Sequence, residues 1–147
     1  MDIWKFQKHL TAMLLGWAVV NILSGLGLMG GRDPVRKGVG EQFAGWGLVN
    51  TMIALVGWMS ATRRQRSPDS TTPATQTAER RKIARLLYVN TGLDVFYVVG
   101  GALTAGGRGA TDKRWRGRGL GIMVQGGFLF FFDLIHAIRA RSTGDSH

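Results

Sequence analysis

Leu14-Leu-Gly-Trp17-Ala-Val-Val-Asn21-Ile-Leu-Ser-Gly-Leu-Gly-Leu-Met29 is apolar on every side of a helix, and its reading decides the fold. An amphipathic helix of a soluble bundle carries Lys or Glu every three or four residues on its outer face. This stretch has no such face, and Phe128 to Phe132 has none either. None of the 19 Lys and Arg residues falls within 10–29, 43–61, 86–105 or 119–138. Each stretch is about 20 residues, the length that crosses a hydrocarbon core of about 30 Å at about 1.5 Å per residue. The sequence therefore predicts an all-α integral membrane four-helix bundle, made of two helical hairpins, as one domain over 1–147.

A mean hydropathy near zero hides this segregation. The net charge of +10 lies in loops beside the spans. Anionic lipid headgroups explain it there, and nucleic acid is not needed. There is no cysteine, which excludes disulfides and thiolate metal sites. The first apolar run is too long for a cleaved signal peptide and lacks an Ala-x-Ala site at Gly30-Gly31-Arg32.

Four spans put both termini and the central stretch on one side. That side carries eleven of the 19 basic residues and the other side eight. The positive-inside rule then places the termini in the cytoplasm of a bacterial inner membrane. Residues 63–82, with Ser67-Pro68-Asp69-Ser70-Thr71-Thr72-Pro73, read as a polar, mobile cytoplasmic linker. Residues 30–42 and 106–118 read as Gly- and Arg-rich loops. Ile3, Trp4 and Phe6 beside Lys5 and Lys8 read as an interfacial lead-in to the first span.

Polar side chains inside the spans are the candidate site, because amides and carboxyls in hydrocarbon turn inward and find partners. Counted from the side of the termini, Asn21, Asn50, Tyr97 and Gln125 come out about 17 to 21 Å deep, one layer from four helices. Asn90, Asp94 and Tyr97 share a face, as do Gln125, Asp133 and His136. An antiparallel third and fourth span would set Asn90 opposite Asp133 and Tyr97 opposite Gln125. Two acids that close in a low dielectric would not both be charged. His136 falls near the edge of its span, where a wet interfacial side chain is the plain expectation.

Gly16-Trp17-Ala-Val-Val20-Asn21 is echoed by Gly45-Trp46-Gly-Leu-Val49-Asn50. Trp17 and Trp46 lie too deep for interfacial anchors, so they are packing residues or walls of a ligand pocket. Ala12, Gly16 and Ser24, with Gly92, Gly100, Gly126 and Gly127 in the second hairpin, are the small residues expected at close helix contacts.

Over Asn90-Thr-Gly-Leu-Asp94-Val-Phe-Tyr97 and Gln125-Gly-Gly-Phe-Leu-Phe-Phe-Phe-Asp133-Leu-Ile-His136 the chain resembles a family of small four-span bacterial membrane proteins of unknown function. The likeness is concentrated in the second hairpin. It implies the topology and a shared polar core, and no activity.

Three functions compete on this reading. A non-catalytic subunit or scaffold, homo-oligomeric or within a larger membrane complex, would use the polar layers for helix register. A proton- or ion-coupled transporter or channel would titrate Asp94 and Asp133. A hydrophobic-ligand binder would be walled by Trp17 and Trp46; haem held by His9 and His136 is its most specific form. No His-Glu-x-x-His, Gly-x-Ser-x-Gly or phosphate-binding loop is present, so an enzyme is not expected, nor a metal centre.

Overall fold

The computed structural model describes residues 2–142. Four helices fill it: α1 Ile3–Met29, α2 Pro34–Gln65, α3 Pro73–Gly106 and α4 Lys113–Ser142, with no strand among the described residues. All four are long and apolar enough to cross a membrane. Each start has a local cause. Asp2 Oδ1 accepts from Trp4 N at 2.9 Å, Asp33 Oδ1 from Val35 N at 3.0 Å, and Asp112 Oδ1 from Arg114 N at 2.8 Å. Thr72 Oγ1 accepts from Thr75 N at 3.3 Å. These side chains satisfy backbone donors that no helical carbonyl reaches, and Pro34 and Pro73 fix φ for the first turn.

The helices run well past the apolar spans. The expected linker 63–82 is mostly helix, because α2 continues to Gln65 and α3 begins at Pro73. Only 66–72 connects them, and it holds a short 3-10 turn at Pro68–Thr71. It is also tied down rather than loose. Trp4 Nε1 donates to Ser70 O at 3.0 Å, and Gln76 Nε2 donates to the same carbonyl at 3.2 Å. At the opposite end the breaks are 30–33 and 107–112, so most of 30–42 and 106–118 is helical too.

The two hairpins pair α1 with α2 and α3 with α4, and α2 also packs on α4, while α2 and α3 share no packed interface. Glycine makes the close contacts. A Cβ on Gly40 would stand 2.6 Å from Gly25 O, and one on Gly101 2.7 Å from Gly119 O. Between hairpins, Gly38 abuts the Arg114 carbonyl and Gly117 the Val35 carbonyl. In lipid, where apolar burial adds little between helices, such backbone approach supplies the packing. The expected small-residue stripes are corrected here. Gly16, Gly92, Gly100 and Gly127 face open space, and of these glycines only Gly126 packs closely, a Cβ there standing 3.0 Å from Tyr97 Cβ.

At the end with the termini, Ile3, Trp4 and Phe6 are buried against Ile83, Ala84, Leu87, Ala137 and Ala140. They are a core that locks the first turn of α1 onto the second hairpin, not an interfacial lead-in. The outer surface is apolar, with Phe96 75% and Leu103 71% exposed, which suits hydrocarbon and not water.

Candidate functional site

Midway along the bundle three helical side chains close a polar network. Gln125 Nε2 donates to Asn21 Oδ1, and Trp17 Nε1 donates to Gln125 Oε1 at 3.2 Å. Asn21 Nδ2 donates back to its own helix at Trp17 O, 2.8 Å away. The Trp17 ring stacks on Phe128 with centroids 3.7 Å apart. This network spans α1 and α4 through side chains alone. Asn50, from α2, is 1% exposed, and its Nδ2 has no partner among the described residues.

Tyr97 does not complete that layer as a buried group. It is 39% exposed, and its ring meets Trp46 edge-on at 4.9 Å. The turn of α3 that faces α4 presents the buried Asp94 inward instead. The expected pairing of the two hairpin helices does hold. Tyr97 Cβ and the Asp94 carbonyl both lie against Gly126, beside Gln125.

Nearer the termini, Asp94 and Asp133 are both buried, from α3 and α4. The Asn90 side chain hydrogen-bonds Asp133, and Asp94 lies near enough to act on it electrostatically. Asp94 Oδ2 has no partner among the described residues. Among the described residues neither acid pairs with a base: the ion pairs are Arg64–Glu79 at 2.5 Å at this end, and Arg114–Glu41 and Arg118–Glu41 at 2.8 Å at the opposite end.

His136 is not a wet interfacial side chain. It is 4% exposed, with Nδ1 2.7 Å from Phe132 O and its ring against Phe132 at 4.4 Å and Phe6 at 6.1 Å. Its Nε2 has no partner among the described residues. His9 is exposed, whereas His136 is buried. Among the described residues no three His, Asp or Glu side chains gather in a way that would hold a metal ion.

A cavity of about 240 Å³ lies between the hairpins at the end with the termini. Leu10 and Leu14 of α1, Ile53 of α2, Leu86 and Leu87 of α3 and Phe132 of α4 make its walls. Asn90 and Asp133 stand at its inner end, and Arg64 and Lys82 at its mouth. Trp17 and Trp46 do not line it. Sequence reasoning also missed Gln7, Thr11 and Ser60, which add polar groups to the lining. Isolated Gln, Thr and Ser near span ends carry no sequence signal of their own.

The chain belongs to the family of unknown function DUF6992, whose model matches residues 13–134. The match takes in Asn21, Asn50, Asn90, Asp94, Tyr97, Gln125 and Asp133, and stops short of His136. Searches of curated proteins and of solved structures returned no match.

Proposed function

We propose that this protein is a non-catalytic membrane subunit or scaffold, whose buried polar groups fix the register of four helices. The observation that carries the reading is the closed Trp17–Gln125–Asn21 network, in which each donor and acceptor named is spent on another helix or on its own backbone. Groups consumed this way are interhelical glue, worth about 0.6 kcal/mol per bond in membranes. The bundle sits in the bacterial inner membrane with both termini cytoplasmic, and anionic headgroups neutralise its basic ends. It works as a homo-oligomer or inside a larger membrane complex.

A second reading, ligand binding, is favoured by the cavity and by the two acids beside it. An ion-coupled transporter using Asp94 and Asp133 would reach them from the same side, but the two hairpins are zipped together at the far end by Gly38 against α4 and Gly117 against α2. That closure supports a one-sided site over a through-path.

Native mass spectrometry of the chain, extracted with its lipids, tests the scaffold reading. An assembly larger than the monomer that persists in the Asp94→Asn/Asp133→Asn variant is the expected result. A strictly monomeric protein, or proton flux in liposomes that the double variant abolishes, would overturn it.

A further inference from the structure

The cavity combines features that a structural polar core does not require. Its inner end presents a carboxyl that is only 7% exposed, Asp133, with a second carboxyl, Asp94, 3% exposed behind it. Among the described residues no basic side chain forms an ion pair with either one. Of the charged groups around the cavity, α3 supplies Lys82 and α2 supplies Arg64 to its lining, and Asp94 of α3 acts on Asp133; the residues of α1 on the cavity carry no charge. Arg64 is held by Glu79 at 2.5 Å. Lys82 is exposed at the mouth, eight residues before Asn90, which is about 12 Å along the helix axis. Neither reaches the inner end. A buried carboxylate without a cationic partner is costly by several kcal/mol, so this end of the cavity is complementary to positive charge.

The walls set the other requirement. They are aliphatic, with the Phe132 ring added, so a hydrated metal ion would lose its water with nothing to replace it. An organic cation keeps an apolar body against Leu10, Leu14, Ile53, Leu87 and Phe132, and presents its charge to Asp133. There is also a way in. Ile53 and Leu86 both line the cavity and are 54% and 60% exposed, so it opens sideways between α2 and α3, where these helices do not pack. An amphiphilic amine already dissolved in the membrane enters by that side.

We propose that the cavity between α2 and α3 is a binding site for a small lipophilic ammonium ion, with Asp133 as its counterion and Asn90 as a hydrogen-bonding neighbour. The volume, about 240 Å³, sits below the usual range for drug-sized ligands and favours a compact arylalkyl amine.

The test is isothermal titration calorimetry on the full chain in phosphatidylcholine nanodiscs, with three probes of similar size: phenethylammonium, phenethyl alcohol and 3-phenylpropanoate. The site predicts saturable binding of the cation, with the alcohol and the anion weaker by about tenfold or more. Asp133→Asn should lose the preference for charge, and Ser60→Trp, which fills the cavity, should lose binding altogether. Equal affinity for alcohol and cation would overturn the proposal, as would unchanged binding in Asp133→Asn. A preference for the anion would do the same and place the ligand at Lys82 and Arg64. The probe series on the unmodified protein decides the matter even where a variant fails to fold.

Discussion

Gln125 of α4 donates its carboxamide hydrogen to Asn21 Oδ1 of α1 across a gap that the two backbones do not close themselves. The same Gln125 accepts from Trp17, so one residue ties two side chains of the first hairpin to the second. Gln125→Leu strands both partners. A loss of about 1–3 kcal/mol in unfolding follows. Trp17→Phe keeps the stack on Phe128 and removes one donor, so its cost should be nearer 0.6 kcal/mol. Denaturation in mixed micelles, followed by circular dichroism, ranks the two.

The glycines separate into two classes that a substitution series distinguishes. Gly40→Ala and Gly101→Ala put a Cβ 2.6–2.7 Å from a facing carbonyl, so a helix pair must spread. Overpacking of this kind costs about 1–3 kcal/mol. Gly16→Ala and Gly92→Ala meet open space and should be neutral or slightly stabilising, since Ala is the better helix former by about 1 kcal/mol. Thermal midpoints of the four variants provide the check. Equal effects in both classes would contradict the packing described.

Trp4 is 2% exposed and bonds Ser70 O through its indole. Trp4→Phe leaves that buried carbonyl to Gln76 alone and should cost about 1 kcal/mol. Trp4→Ala opens a void among Ile83, Ala84 and Leu87 and should cost about 3–5 kcal/mol. Proteolysis within 66–72 is the sharper readout: the intact protein should resist cleavage there, and Trp4→Ala should not.

Asp94→Asn removes a carboxyl that has no basic partner and leaves a side chain of the same shape. The fold and its assembly should survive with stability equal to the parent or about 1 kcal/mol higher. Gel filtration and a melting curve measure this. A variant that unfolds would show that the carboxylate has a partner essential to the bundle.

The four spans were legible because lysine and arginine avoid about 20 residues of hydrocarbon, which composition records directly. Asn21 and Gln125 were legible for the same reason, since an amide at that depth must turn inward. The ends of the helices were not. Arg63 and Arg64 end α2, and Arg80, Arg81 and Lys82 sit in α3, because a helix continues in water wherever its caps and turns allow. Nor could the faces be assigned. Gly16 and Gly25 lie on one helix, yet only Gly25 meets α2, because the crossing point depends on the partner's shape. The same dependence turned Tyr97 outward, buried Trp4 and His136, and placed the cavity away from Trp17 and Trp46. His136 is buried against Phe132, one turn before it on α4, and against Phe6 of α1, and only the second of these contacts is distant in sequence.

The most direct test of a structural polar layer is a double-mutant cycle between Asn21 and Gln125, using Leu at each position and unfolding free energies in mixed micelles. A coupling of about 0.6–1.7 kcal/mol, with the double variant less damaged than the two single losses sum to, is the predicted result. Additive losses, with no coupling between the two positions, would contradict it and return these amides to the candidates for ligand or ion contact.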